Sequence, residues 1–258
     1  MKVHTTLSSY AIAELGIILS VWAHPDDETY LAGGVMAAAR DNGQRVVCAS
    51  ATAGEHGTPD PVSWPPERLA RLRRWESAAA MAVLGVDDHR FLELPDGELE
   101  SHAGRGATLV RQLLDDVQPD TILTFFSDGI TFHPDHIAVH RWVTTAWERR
   151  GRRGRLLYAR PTSEHLARFS RFYEQWGVYM TDERPTGVHR HELALHLTLD
   201  RLHLDRKIAA LAAMASQTGA AMSTLDPQTY AASVAEESFV DARPVTDIQR
   251  SSQLMAST

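Results

Sequence analysis

Two short polar segments, each following an apolar run, carry the side chains best suited to chemistry. The tetrad HPDD (residues 24–27) follows GIILSVWA (16–23), and HPDH (133–136) follows TILTFF (121–126). Each apolar run predicts a buried strand, and open α/β sheets bind ligands beyond the carboxyl ends of their strands. Histidines and carboxylates gathered at such an edge can hold a divalent metal and leave one carboxylate free as a base. The two motifs together therefore predict a metal-dependent hydrolase.

The first motif supplies a natural pair of ligands and a base. Catalytic zinc usually takes three protein ligands and keeps one position open for water. His24 and Asp27 can form the first pair of ligands, with Pro25 stiffening the turn between them. Because consecutive side chains point in different directions, Asp26 can face the substrate while Asp27 faces the metal. A metal lowers the pKa of its bound water from about 16 towards about 7, so that an adjacent carboxylate is an effective general base.

The second motif supplies the third ligand and two supporting groups. His136 is the expected ligand, His133 can donate a hydrogen bond to a developing oxyanion, and Asp135 can orient a histidine. A rival ligand pair exists, since His140 lies four residues after His136 on the same predicted helix. The zinc metalloprotease pattern with that spacing has a glutamate where Ile137 stands, so we expect His140 to be a helix residue near the site.

Each motif also has a purely structural interpretation. HPDD can be a turn followed by an aspartate that caps a helix from Thr29, and HPDH can be a proline-started helix with two surface histidines. The position of both motifs just past predicted parallel strands favours the metal site over these interpretations.

Strand and helix signals alternate through the first 160 residues, which predicts one α/β domain with a parallel sheet and helices on both faces. The remainder is less regular. The predicted strands are 16–23, 44–50, 89–94, 121–126 and 156–159, with an ambiguous sixth at 191–199; the predicted helices are 29–42, 65–84, 107–117, 134–150, 163–176 and 202–216.

Composition narrows the classes of partner. The chain has 258 residues and a formal charge of −7, which argues against nucleic acid because there is no excess of lysine and arginine to neutralise phosphates. We expect the basic clusters at 68–74 and 149–155 to be solvated. The single Cys48 excludes an intrachain disulfide and is expected to be buried. The sequence shows neither a membrane-spanning stretch nor a signal peptide, which predicts a cytoplasmic protein without a membrane partner.

The two motifs resemble those of the LmbE-like, or PIG-L, N-deacetylases, whose members carry (A)HPDDE at the end of the first strand and a later HPDH. The resemblance covers most of residues 17–218. It implies a Rossmann-like α/β/α fold in a single domain over 1–258, with its core at about 17–218 and a polar tail at about 244–258.

Carried over position by position, the resemblance implies zinc ligands at His24, Asp27 and His136. It implies that Asp26 is the general base and that His133 stabilises the tetrahedral oxyanion.

Further positions are similar to substrate-side positions of the family. The segment RRWE at 73–76 resembles the family's Arg-x-x-Glu helix, which implies a substrate-binding role for Arg73. Asp96 matches an Asp-Gly after the third strand, another substrate-side position. Met214 stands where many members have a histidine, which bears on substrate identity and not on metal binding.

The sequence therefore predicts a zinc-dependent amide hydrolase that removes an N-acyl group, most simply acetyl, from an amino-sugar-containing small molecule. The same donors accept Fe²⁺ or Co²⁺. One alternative is an amidase with the same site that acts on a thiol conjugate or an antibiotic scaffold. Another is a non-catalytic sugar- or nucleotide-binding module, but such a module is expected to have G-x-G-x-x-G after the first strand, where HPDDE stands.

Overall fold

The computed structural model describes residues 3–6 and 9–243, and the polar tail predicted at 244–258 lies outside them. In this part of the chain eight strands form one sheet in the order β1-β7-β8-β6-β5-β2-β3-β4. The strands are β1 (Val3–Thr6), β2 (Ile18–Trp22), β3 (Val46–Ser50), β4 (Asp88–Phe91), β5 (Thr121–Phe125), β6 (Arg155–Ala159), β7 (Leu195–Thr198) and β8 (Glu236–Asp241).

The sheet is parallel except for β8, which runs antiparallel to both of its neighbours, β6 and β7. Every residue of β2, β3 and β5 is buried, so both faces of the central sheet are covered. This confirms the predicted three-layer α/β fold with a mostly parallel sheet.

The helices pack in two main groups. In the first, α2 (Asp27–Asp41), α3 (Pro66–Leu84) and α7 (Arg201–Ala213) contact one another; in the second, α4 (Ala103–Val117) packs against α5 (Pro134–Arg149). The other helices are α1 (Ser9–Ala13), α6 (Ser163–Gln175), α8 (Ala215–Thr224) and α9 (Pro227–Val234), with 3-10 turns at Leu99–His102 and Arg190–Glu192. Within the described residues no helix combines the length and apolar character that a membrane crossing requires.

The elements predicted between residues 16 and 160 are confirmed, but β1 and α1 before them were not predicted, and the later part contains further differences. The helix predicted at 202–216 is two helices, α7 and α8, because Met214 between them has a non-helical backbone (φ −101°, ψ 47°). The sequence at 191–199 forms a strand only at Leu195–Thr198. Strand β8 was missed, since its two glutamates weaken the apolar pattern of a strand.

One of those glutamates forms a fully buried ion pair. Lys207 Nζ of α7 lies 2.7 Å from Glu237 Oε1 of β8, and neither side chain has any exposed surface. The Glu237 carboxylate also accepts hydrogen bonds from the N–H groups of Gly34 and Val35 in α2, at 2.7 and 2.8 Å. Lys207 donates to the carbonyl of Tyr30, one turn earlier in α2. The pair therefore fixes α2 to α7 and to β8.

We expect Lys207→Met to lower the free energy of unfolding by about 3–5 kcal/mol, because it leaves the Glu237 carboxylate buried without a cation. The double variant Lys207→Met/Glu237→Gln should be more stable than Lys207→Met alone, since no buried charge remains. Urea unfolding measures both effects.

The matched control is Arg201→Met, which removes an exposed partner of Asp205 on the same helix. It should change the free energy of unfolding by less than about 0.5 kcal/mol. Equal losses in Lys207→Met and in this control would contradict a structural role for the buried pair.

Candidate metal centre

The two polar motifs meet because β2 and β5 are parallel neighbours, with Ile18 opposite Thr121 in register. Their carboxyl ends therefore lie at the same edge of the sheet. The imidazole ring of His24, just after β2, has its centroid 4.7 Å from that of His133 and 5.2 Å from that of His136.

Three side chains bring donor atoms to a common point. His24 Nδ1 and His136 Nε2 are 3.2 Å apart, although 112 residues separate them along the chain. Asp27 Oδ1 lies 3.3 Å from His136 Nε2, and Asp27 Oδ2 lies 3.5 Å from His24 Nδ1. A tetrahedral ion with bonds of about 2.0–2.2 Å keeps its ligand atoms roughly 3.3–3.6 Å apart. The donor spacing therefore fits a single zinc-sized cation.

The hydrogen bonds on the far side of each ring indicate which nitrogens carry protons. His24 Nε2 lies 3.0 Å from Asp96 Oδ1 and 3.3 Å from Asp135 Oδ2, and these acceptors favour a proton on Nε2. His136 Nδ1 lies 2.9 Å from the carbonyl oxygen of Gly129, which favours a proton there. His24 Nδ1 and His136 Nε2 then present lone pairs to each other, and a cation bound by both nitrogens would stabilise this arrangement.

The surroundings of His24 are strongly electronegative. Burial by itself would lower its pKa, but hydrogen bonds to Asp135, Asp27 and Asp96 outweigh burial and raise the pKa of His24 well above its usual value. An environment that favours a proton on this imidazole also favours a metal cation beside it. His136 has no such set of carboxylates, and burial lowers the pKa of His136 to about 4, so that the ring is neutral and free to donate a lone pair.

Asp135 and Asp96 both lie against the outer nitrogen of His24. Asp135 also accepts from the N–H groups of Gly97 and Leu99, which connects the second motif to the turn after β4. Asp96 is 6% exposed, and its other oxygen accepts from the N–H of His56. The structure thus places the predicted substrate residue Asp96 beside a predicted ligand.

Asp26 occupies the first position before α2 with a backbone that few residues other than glycine adopt (φ 128°, ψ −34°). Its carboxylate does not cap the helix, which leaves it available for chemistry. Burial raises the pKa of Asp26 to about 7, against the opposing charge of Arg73, whose Nη2 lies 3.7 Å from Asp26 Oδ1. A carboxylate with a pKa near neutrality is suited to accept and return a proton.

His133 caps α5 through its own ring. Its Nδ1 accepts from the N–H of Asp135 at 3.1 Å, so that the neutral ring carries its proton on Nε2. Burial and the charge of His24 lower the pKa of His133. The ring is therefore a neutral donor at the metal centre.

Arg73 is 3% exposed, unlike the solvated cluster expected at 68–74. Its two terminal nitrogens donate to the carbonyls of Gly54 and Pro25, each at 2.6 Å. Arg73 thus connects α3 to the loop after β3 and to the first motif. The nearby Glu76 of the RRWE segment accepts from the N–H and the hydroxyl of Ser216 at the start of α8.

Two features of the centre were not predicted from the sequence: the conformation of the loop at 126–133 and the aromatic ring that stacks on His136. Phe125, the last residue of β5, stacks on the His136 ring with centroids 4.1 Å apart and planes 12° apart. Ile130 and Phe132 adopt positive φ angles of 68° and 60°, which bulky side chains rarely do. The only local signal was Asp128-Gly129, a common turn dipeptide. His140 bonds to the carbonyl of Phe125 at 2.8 Å, and the three donor atoms assembled above do not include it.

The part of the chain that carries both motifs matches a known family of deacetylases. A family model described as PIG-L, GlcNAc-PI de-N-acetylase, matches residues 19–147, which is half of the chain. The chain belongs to the PIG-L family, which confirms the resemblance drawn from the two motifs.

Two curated relatives are both named 1D-myo-inositol 2-acetamido-2-deoxy-α-D-glucopyranoside deacetylase. The protein from Kineococcus radiotolerans is 36% identical over 50% of this chain and 44% of its own length. The protein from Acidothermus cellulolyticus is 32% identical over 78% of this chain and 79% of its own. The match thus spans less than half the length of the first relative and most of the second.

Solved structures share the fold at lower identity. N,N′-diacetylchitobiose deacetylase from Pyrococcus horikoshii has a TM-score of 0.61 at 22% identity, covering 90% of this chain and 88% of its own. GalB, the 4-carboxy-2-hydroxymuconate hydratase from Pseudomonas putida, has a TM-score of 0.55 at 18% identity, covering 89% and 97%. Since a hydratase and a deacetylase share it, the fold alone does not define the reaction.

We expect Gly54→Ala to lower the free energy of unfolding by at least about 1 kcal/mol, for two reasons. Gly54 has a φ of +65°, and a Cβ there would overlap with the Arg73 guanidinium. Gly104→Ala is the matched control, because a Cβ on that exposed glycine of α4 would have no neighbouring atom within 4 Å. It should be neutral or slightly stabilising in urea unfolding. A Gly54→Ala protein as stable as this control would show that the close approach of Arg73 is unimportant.

Proposed function

We propose that this protein is a metal-dependent N-deacetylase that hydrolyses the acetamido group of an amino-sugar-containing small molecule. One observation carries the proposal. His24 Nδ1 and His136 Nε2 lie 3.2 Å apart, and each has one of the two Asp27 carboxylate oxygens within 3.5 Å, a spacing that fits ligands around one cation. Asp26, adjacent to these donors, has a carboxylate without a capping role and a pKa of about 7.

The two imidazoles and one carboxylate would hold the metal. This donor set suits zinc, and we propose zinc as the metal. The same donors also accept Fe²⁺ or Co²⁺. When bound, the metal supplies Lewis acidity, which acidifies a water molecule and polarises the amide carbonyl.

The protein's own groups then move the protons. We assign Asp26 as the base that takes a proton from the attacking water while the new C–O bond forms. The Nε2–H of His133 donates a hydrogen bond to the carbonyl oxygen as it becomes an oxyanion. When the C–N bond breaks, the proton held by Asp26 passes to the leaving amine, so that the products are acetate and a free amino group.

The buried residues around these groups have positioning roles in this proposal. Asp96 and Asp135 would hold the proton of His24 Nε2 and so direct Nδ1 to the metal. Arg73 would fix the turn that carries Asp26 through the carbonyl of Pro25. The substrate-binding roles predicted for Arg73 and Asp96 stay predictions, and their contacts with the protein support positioning in addition.

The names of the relatives support the substrate class. Both curated relatives are named as deacetylases of an N-acetylglucosamine unit joined to inositol, and a structural neighbour is named as a chitobiose deacetylase. We therefore propose an N-acetylglucosamine unit joined to a small acceptor. The alternative substrates, a thiol conjugate or an antibiotic scaffold, would use the same metal centre.

Asp26→Asn should retain metal and lower kcat for release of free amine from an N-acetylglucosamine glycoside by about 10²–10⁴-fold, because the amide cannot accept the proton. His136→Ala should lose both metal and turnover. Amine release and metal content per chain are measured on the same samples. Full activity in Asp26→Asn would contradict the assignment of the base.

Removal of metal by a chelator should abolish amine release, and added Zn²⁺ or Co²⁺ should restore it. Because the ligands must be deprotonated, each rebinding ion should release protons, which are measurable in weakly buffered solution. Turnover that persists in metal-free protein would overturn the proposed function. Bound metal without turnover would instead favour a thiol conjugate or an antibiotic scaffold as the substrate.

A further inference from the structure

The loop between β5 and α5 has a strained backbone and contacts the ring of His136. Its Gly129 carbonyl accepts from His136 Nδ1 at 2.9 Å and so determines which nitrogen of that ring faces the metal centre. Two bulky residues of the loop, Ile130 and Phe132, have positive φ angles. Such backbone conformations cost of order 1–3 kcal/mol each and persist only where the surroundings enforce them.

Asp128 accepts two hydrogen bonds from within this loop. Its Oδ1 accepts from the N–H of Ile130 at 2.9 Å, and its carbonyl accepts from the N–H of Phe132 at 3.0 Å. Both residues with positive φ are therefore bonded to the same aspartate. Asp128 therefore helps to fix the loop that carries the Gly129 carbonyl. Two backbone bonds contribute as well, from the N–H of Gly129 to the Phe126 carbonyl and from the N–H of Met180 to the Thr131 carbonyl, each at 2.9 Å.

A single buried arginine holds Asp128 from outside the loop. Arg160, directly after β6, lies with its Nη1 2.5 Å from Asp128 Oδ2, and the side chains are 7% and 17% exposed. The guanidinium carbon of Arg160 lies 3.9 Å from the centroid of the Phe126 ring at the start of the loop. Its Nη2 donates to Thr186 Oγ1 at 3.0 Å.

The backbone of Arg160 is itself fixed by the antiparallel strand. Its N–H donates to the Ser238 carbonyl of β8 at 2.9 Å, and Ser238 Oγ donates to the Arg160 carbonyl at 2.5 Å. The charged head group is therefore presented to Asp128 by a rigid element and not by a mobile loop.

We propose that Arg160 is a positioning residue for the metal centre: through Asp128 it holds the strained 126–133 loop, and thereby His136, in the metal-binding geometry. Arg160 touches neither a metal ligand nor any atom assigned to the reaction. The inference rests on the proposed function only in that it takes His136 to be a ligand.

The chemistry of the contact requires arginine. One planar guanidinium binds the carboxylate, a hydroxyl and an aromatic face at once, which the compact ammonium group of lysine cannot do. Arg160→Lys should therefore retain only part of the effect, and Arg160→Met should lose it.

The test is the affinity of the 258-residue chain for Zn²⁺, measured by competition with a chromogenic chelator. Arg160→Met should weaken Zn²⁺ binding by about 10–100-fold, the range found when residues that support metal ligands are removed. Asp128→Asn should weaken Zn²⁺ binding similarly. The double variant Arg160→Met/Asp128→Asn should bind Zn²⁺ no more weakly than the single variant with the lower affinity, because both changes release the same loop.

The matched control is Arg155→Met. Arg155 is the first residue of β6, at the opposite end of that strand from Arg160, and pairs with Asp241 at 3.3 Å. This variant should lose stability without losing Zn²⁺ affinity, so that affinity separates positioning from a general loss of stability. Affinity is compared only at temperatures where circular dichroism shows each variant to be folded.

The outcomes distinguish this inference from the proposed function. Tight Zn²⁺ binding by the unaltered protein, with unchanged affinity in Arg160→Met, would overturn the positioning role alone. Equal loss of affinity in Arg160→Met and Arg155→Met would overturn it as well. Failure of the unaltered protein to bind Zn²⁺ or Co²⁺ would overturn the proposed function itself.

Discussion

The close approach of two imidazole nitrogens and one carboxylate is the constraint on which the rest of the site depends. With only 3.2 Å between His24 Nδ1 and His136 Nε2, the inner atoms repel one another unless a cation or a proton lies between them. The protein holds them there by giving each ring a strong acceptor on its outer side. For His24 the acceptors are Asp96 and Asp135, and for His136 the acceptor is a backbone carbonyl.

These acceptors are themselves held in place by further hydrogen bonds. Asp135 is fixed by peptide N–H groups of the turn after β4, and the Gly129 carbonyl depends on a loop whose strained residues bond to Asp128. The geometry of the centre is therefore a property of the whole carboxyl edge of the sheet. Rigid support of this kind is what precise metal coordination requires.

Strand β8 supports both motifs of the metal centre. At Glu237 its side chain forms the buried pair with Lys207 and bonds to α2, the helix that begins at Asp27. At the next residue, Ser238, its backbone and hydroxyl hold Arg160. Adjacent residues of a strand point to opposite faces, so that one strand supports groups on both sides of the sheet. This explains why the late, irregular part of the chain belongs to the same domain as the motifs.

The sequence alone determined the alternating strands and helices between residues 16 and 160 and the two motifs that supply the donors. Local signals were sufficient there, because apolar runs, proline starts and glycine stops act over a few residues. The sequence also indicated His24, Asp27 and His136 as ligands, through spacing and through resemblance to a family. Their roles stay proposals, whereas their proximity is observed.

Only the tertiary structure decided how those donors are held. Strand β8 was not predictable because its glutamates are unfavourable in a buried strand until Lys207 neutralises one of them from a distant helix. Burial of Arg73 within an exposed-looking basic cluster depends on carbonyls from two other segments. The contact of Arg160 with Asp128 spans 32 residues and has no local pattern. From the sequence alone, charged side chains are predicted to be exposed to solvent. Only the folded chain supplies the partners that make their burial favourable.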